Sequence, residues 1–323
     1  MLYDIRLHLH YDYAAAAGGG RHQIRVLPST ISGVQRVIAA SLSFAPAPNE
    51  RSDFSDFFGN NVTSIAFRDA HDALDIRMSA RVSVSRPEPG LDVSPDIGRL
   101  RQELAAVRSL ASASPHHFLA GSAHSGIDAA ITTYARDSIA GSAAGTAMNL
   151  CNRIHRDFTY DGDATTVRTR ASDAFKLKRG VCQDFSHIFI ALARQLGVPT
   201  RYVSGYLFRD ESGADRSTDG ATHAWAECWV PDLGWVGFDP TNNVIASERH
   251  IRVAVGRDYA DVPPTRGVYK GITAIASDLA VSVSFAPVVL ATGGDMMPFT
   301  PWMSRDVSTP VGDADAEQQQ SQQ

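Results

Sequence analysis

The sequence predicts an α+β fold preceded by a β-rich region, and three observations carry that expectation. The first ~90 residues alternate apolar and polar side chains with the period of two that a half-buried strand requires. From Asp96 onward the apolar residues recur every three or four positions, the spacing of a helix face. After Gly197 and Pro199 the strand pattern returns in "TRYVSGYLF", "THAWAECWV" and "WVGFDPTNN", and helices joined to a run of antiparallel strands define the α+β class.

In the N-terminal region Ile5, Leu7, Leu9 and Tyr11 alternate with Arg6, His8 and His10. "VIAASLSFAPAP" reads as a further strand ended by prolines. "NNVTSIAF", the turn "RDAHDA" and "LDIRMSARVSVSR" read as a hairpin, and the whole of 1–90 as an antiparallel β domain of sandwich type. "RPEPGLDVSP", Arg86 to Pro95, has the composition of a linker. Residues 91–145 form a helical connector, with Leu100, Leu104, Val107 and Leu110 on one face and Ile127, Ile131 and Tyr134 on another. The core is placed at 146–303. It opens with a helix whose buried face holds Met148, Cys151, Ile154, His155 and Phe158, which makes Cys151 a core thiol, and it closes with the strands of 244–290. Residues 304–323 have little to bury and are expected to be disordered.

Composition narrows the function. With 323 residues, 44% hydrophobic, the chain can bury two compact cores. A net charge of -5 from 30 basic and 35 acidic residues offers no basic surface for phosphates, so neither nucleic acid nor a membrane is an expected partner. No run of about 18 apolar residues is present and "MLYDIRLHLHYDY" lacks a signal-peptide pattern, so the expected location is cytoplasmic. Three cysteines without a CxxC spacing suit neither a disulfide framework nor a zinc knuckle. Each is therefore weighed as a thiol.

Cys182 stands out. "KRGVCQDFSHIFIALARQLGVP" places it in the first turn of a helix whose apolar stripe is Phe185, Ile188, Phe189, Leu192 and Leu196. The N–H groups and dipole at that end favour a thiolate. A general base must come from elsewhere, because His187 lies five residues on and about 140° around the helix. His223, which opens "HAWAECWV", is the better partner, and Asp239 at the end of "WVGFD" can orient it. If Val230 pairs with Trp235 across "PDLG", however, Asp239 falls opposite Ala226, about 10 Å along the strand from His223. That ladder needs a bulge, and leaves Asp184 and Glu227 open as orienting groups.

"GVCQDFSH", "ARQLGVPTRYVSGYL", "HAWAECWVPDLGWVGFDPTNN" and "HIRVAVGRDYADVPPTRGVYKG" resemble the bacterial transglutaminase-like proteins, over about residues 148–271. The N-terminal β region more weakly resembles the domain that precedes this core. The resemblance implies a papain-like transglutaminase core with Cys182 as nucleophile, His223 as base and Asp239 as orienting carboxylate. It implies acyl transfer through a thioester on a protein or peptide substrate. Because water is always available while crosslinking needs a site that admits an amine and excludes water, hydrolysis of an amide is expected ahead of transglutaminase activity, with a catalytically silent binding protein as a third reading. The Cys182 backbone N–H is a candidate oxyanion donor. The glutamine that papain-like enzymes carry six residues before the cysteine is here Lys176, so Gln183 is the side-chain candidate. Cys228 departs from the apolar or β-branched residue expected in its strand, and faces the core.

Other features receive plainer readings. Trp225 and Trp229 share a strand face with His223 and are candidates to shape a substrate cleft, as is Tyr160, with Asp161, just before the helix. His187 and Asp184 form a helix pair three residues apart. His8 and His10 have metal-compatible spacing, but nothing acidic joins them locally, so they read as a solvated face. "AAAAGGGR" reads as a flexible loop, lacking the Gly-Lys-Ser/Thr ending of a phosphate loop. The polar loop 209–220 reads as a hairpin loop able to gate the site. No calcium, zinc or other cofactor is expected, and no metal ligands are assigned.

Overall fold

The structure is a computed structural model that describes residues 1–87, 90–126, 128–209, 215–216, 220–270 and 274–286. The N-terminal sheet is organised around β1 (Leu2–Ile24), whose alternation buries Tyr3, Ile5, Leu7, Leu9, Tyr11 and Tyr13. The other strands are β2 (Gln35–Ala45), β3 (Glu50–Ser55), β4 (Asn61–Ala66) and β5 (His71–Val84). β4 and β5 do not pair with each other as a hairpin. Each pairs instead with its own part of β1, β5 along Leu2–Asp12 and β4 along Arg21–Ile24. β3 adds to β4 and β2 to β5. The result is a single seven-stranded sheet in place of the expected sandwich, because β1 is long enough to serve both halves. The Ala-Gly stretch read as a loop lies inside β1. Its small side chains and Gly19, at φ 64°, accommodate register shifts between Asp12 and Ala17 and between Gly18 and Arg21.

The connector holds α1 (Ile97–Ala106), capped by the Asp96 side chain accepting from Arg99 N, then α2 (Ala129–Arg136) and α3 (Ala143–Asp157), capped by Ser142. α1 stops short of Leu110, which is exposed, and Ile127 lies outside the described residues. β6 (Thr159–Tyr160), α4 (Ala171–Leu177) and β7 (Arg179–Gly180) lead into α5 (Cys182–Gln195). Every residue of α5 from Gln183 to Arg194 is buried, which makes it the central helix. It ends where Gly197 takes φ 84°, open to glycine at little cost, and Pro199 bars continuation.

α5 packs on the second sheet, formed by β8 (Thr200–Leu207), β9 (His223–Val230), β10 (Gly234–Asp239), β11 (Val244–Ile245) and β12 (His250–Gly256), in the order β11-β10-β9-β8-β12. Ala224, Ala226 and Cys228 of β9 share the main apolar cluster with α5, while Trp225 joins Val203, Ala246 and Val255 on the opposite face, against Phe58. The free edge of β12 is closed by side chains of the first region. The Gln35 amide bridges Arg252 N and O, and the Asn60 amide bridges Val255 N and O at 2.8 Å each.

β13 (Thr265–Lys270) and β14 (Ala274–Phe285) were expected within the core region. They return to the N-terminal sheet, each pairing antiparallel with β1. The strand pattern shows that they pair but not with what. Residues 287–323, including the expected disordered tail, lie outside the described residues, as does most of the 209–220 loop. Among the described residues no helix is long and apolar enough to cross a membrane.

Candidate active site

Cys182 is the first residue of α5, half-buried, and the approach to it is fixed by its neighbours. Tyr160 pairs in parallel with Gly180, and Asp161 N donates to Gly180 O at 3.0 Å. Asp184, in the first turn, accepts from Val181 N at 2.9 Å and from the Thr165 hydroxyl at 2.6 Å. Gly180 is required for that arrangement: at its φ of 155° a Cβ would lie 2.6 Å from Asp184 Oδ2. Burial pushes the Asp184 carboxyl up to about 6, against the lowering effect of these two hydrogen bonds. Asp184 thus caps the helix and is not paired with His187, whose Nε2 accepts from Tyr259 N at 3.1 Å.

His223 opens β9, and its Nε2 donates to Asp239 Oδ2 at 2.7 Å. The bulge required by the expected ladder is absent. Val230 pairs with Gly234, one residue earlier than expected, because Asp232 and Gly234 adopt positive φ and turn the chain in a shorter loop. The register continues through Ala226 and Phe238 and so carries Asp239 to the level of Trp225. It therefore shares the face of His223 and sits diagonally across from it, within reach of a long side chain.

Asp239 is fully buried and saturated with donors. Oδ1 accepts from Thr241 N and Asn242 N; Oδ2 accepts from Asn242 Nδ2 at 2.8 Å, His223 Nε2, and His250 Nε2 at 3.2 Å. Burial disfavours its charge, but the His223 charge and the hydrogen bonds from both histidines hold the carboxyl well below the usual carboxylate range. His250 stands at the head of "HIRVAVGRDYADVPPTRGVYKG", a motif that assigns it no role. Its Nδ1 accepts from Ser247 N, so the neutral ring carries its proton on Nε2, facing Asp239. Nothing near His250 in sequence names Asp239 as its partner, which is why sequence reasoning missed it.

Burial also disfavours a charge on His223, yet Asp239, followed by the adjacent Cys182, raises its pKa to about 10. Nδ1 closes no hydrogen bond, although the Cys182 side chain is near enough to act on the ring. The other thiols are unsuited to ionise. Burial raises Cys151 well above an ordinary thiol and Cys228 to about 12.

The remaining candidates separate. Glu227 is bound by Arg201 at 2.6 and 2.8 Å and cannot orient His223. Trp225 stacks on His223 at 6.1 Å but has no exposed surface, so it packs beneath the site and lines no open cleft. Trp229 is opposite Trp235, roughly 20 Å along β9 from His223 at ~3.3 Å per residue, too far to shape the site. The Gln183 side-chain amide donates to Val167 O at 3.2 Å, which commits one of its two N–H groups away from an oxyanion. The N–H groups of Cys182 and Gln183 remain without intrahelical carbonyl partners, as any helix start leaves them. Of the cleft candidates, Tyr160 and Asp161 lie nearest Cys182 in the fold, both joined to Gly180, two residues before it.

The arrangement of Cys182, His223 and Asp239 falls within residues 131–240, which match the transglutaminase-like superfamily core; residues 3–83 match the bacterial transglutaminase-like N-terminal region. An uncharacterized protein of Mycobacterium tuberculosis is 38% identical over 244 residues, covering 72% of this chain and 77% of the relative. The chain belongs to the bacterial transglutaminase-like proteins. A solved structure from Cytophaga hutchinsonii, provisionally described as a cysteine protease, shares the fold of this transglutaminase-like chain across 94% of both, at TM-score 0.68 and 22% identity. A protein-glutamine gamma-glutamyltransferase of Pseudomonas aeruginosa is 27% identical over 135 residues, covering 36% of this chain and 20% of that protein.

Proposed function

We propose that the protein hydrolyses an amide bond in a protein or peptide substrate by thiol catalysis. The observation that carries this reading is a buried imidazole with Nε2 tied to Asp239 and Nδ1 uncommitted beside a cysteine at a helix start. Protonated at neutral pH by its raised pKa, His223 pairs with the Cys182 thiolate. The sulfur attacks the substrate carbonyl carbon, and the oxyanion takes the Cys182 backbone N–H. The C–N bond then breaks, with the leaving amine accepting the proton of His223 and the acyl group remaining as a thioester. His223, now neutral, removes a proton from water as its oxygen attacks the thioester. The acid leaves, and the Cys182 thiolate and protonated His223 are restored. Asp239, held by its backbone donors and His250, keeps the ring oriented through both steps.

The similarity to the glutamyltransferase supports a second reading, in which a primary amine replaces water in the second half-reaction. Hydrolysis stands first because water reaches any open thioester, whereas transfer needs a site that admits an amine and excludes water. A glutamine-containing protein incubated with a labelled primary amine distinguishes them. Release of ammonia or peptide without incorporation supports hydrolysis; stable incorporation supports transfer. Neither reaction, from a protein whose Cys182 is intact, rejects both in favour of a binding protein.

A further inference from the structure

We propose that His8, His10 and Asp75 form a divalent metal site of the zinc class on the outer face of the N-terminal sheet. His8 and His10 are alternate residues of β1 and project from the same face, opposite to buried Leu7, Leu9 and Tyr11. Asp75 of β5 stands directly across from His10 in the ladder. Its Oδ1 meets both His8 Nε2 and, at 3.2 Å, His10 Nδ1. One donor atom from each of the three residues lies within 4.8 Å of the others, the span of a coordination shell. Two strand imidazoles and a cross-strand carboxylate make three protein ligands with an open fourth position, a donor set that suits zinc over calcium or magnesium.

A second observation supports a ligand role for His10. With Nδ1 facing the site, its other nitrogen, Nε2, lies 3.1 Å from Asp12 Oδ1. A carboxylate on the far nitrogen of a histidine is the outer contact that fixes the tautomer of a metal ligand. Asp278 of β14, across from His10 on the other edge of β1, adds a further carboxylate on that face. The side chains of His8, His10 and Asp75 are 25%, 29% and 20% exposed, so an ion has access. The opposing feature is Arg77, whose Nη2 lies 3.2 Å from Asp75 Oδ1 and repels a cation there. Arg77 is 53% exposed and free to swing into solvent when an ion enters. Asp75 lies 65 residues from His10, which is why the sequence shows only two histidines.

The test is a titration of the full chain, carrying Cys182→Ser to remove thiol ligation, with Co²⁺ read by its visible absorption and Zn²⁺ read by displacement. One equivalent is expected to bind. His8→Gln, His10→Gln and Asp75→Asn, each checked for native circular dichroism, should weaken binding at least about 100-fold, and Asp12→Asn about tenfold. Arg77→Met should tighten binding several-fold, an effect that no unfolded variant mimics. Absence of binding at millimolar metal overturns the proposal. So does binding that survives His10→Gln or is lost only in His250→Gln, which would place the ion at the buried His223, Asp239 and His250 cluster.

Discussion

Two buried ionic pairs stand on the same face of β9, four residues apart, and they differ in what each leaves unmade. At Glu227 the carboxylate takes two hydrogen bonds from Arg201, with Arg252 at 3.5 Å, and the Arg201 guanidinium lies 4.1 Å over the Trp235 ring. Its contacts hold the two β strands together. At His223 the carboxylate side is equally complete, but the imidazole keeps one nitrogen uncommitted toward Cys182. Burial and charge pairing are common to both; the uncommitted nitrogen beside a thiol is not. That difference is what the proposed chemistry requires and what a purely structural pair lacks.

The comparison breaks most sharply at the sulfur. Cys182→Ala should lower turnover by at least about 10³-fold while leaving the melting temperature near that of wild type, measured by hydrolysis assay and calorimetry on the same preparation. Asp239→Asn should cost about 10²- to 10⁴-fold in kcat/KM, since the amide can hold His223 in the wrong tautomer.

The same variant tests the electrostatics. His223 has a raised pKa, so its contribution to stability is whole below its unfolded value of about 6.5 and is lost as pH rises through about 10. Asp239 has a lowered pKa, so its contribution is present above about 3.9 and is lost on acidification. Wild type should lose stability between pH 7 and 10 through His223, and Asp239→Asn should flatten that slope. An unchanged slope would contradict the pairing.

Glu227→Gln leaves the buried Arg201 without its counter-charge and should destabilise the fold by about 3–5 kcal/mol, with turnover per folded molecule unchanged. A loss of turnover larger than the loss of folded protein would show that the two pairs are not separable. His250→Gln should have the smallest effect, a several-fold fall in kcat/KM, because Asp239 keeps three donors from Thr241 and Asn242.

The sequence made the helix beginning at Cys182 legible because its glycine, proline and apolar spacing are local signals. Cys151 and Cys228 were legible as core residues for the same reason. The pairing of His223 with Asp239 was legible only in outline. The ladder read from "PDLG" was one residue out, and Gly234, a residue suited to positive φ at the end of a short hairpin loop, was the signal that could have corrected it. Partners distant in sequence were not legible. An alternating pattern identifies β14 as a strand without identifying β1 as its neighbour, and His8 and His10 do not announce Asp75. Trp225 shows a further limit: period two places it beside His223, but only the packing of Phe58 and Ala246 shows that this face is covered.

The most direct test of the central claim is the rate of iodoacetamide alkylation at Cys182 against pH, read by mass spectrometry in wild type and His223→Ala, with buried Cys151 and Cys228 as internal controls. Rapid alkylation well below pH ~8.5, the value of an ordinary thiol, that is lost in His223→Ala is the predicted result. Alkylation that follows an ordinary thiol, or that is indifferent to His223, would contradict it.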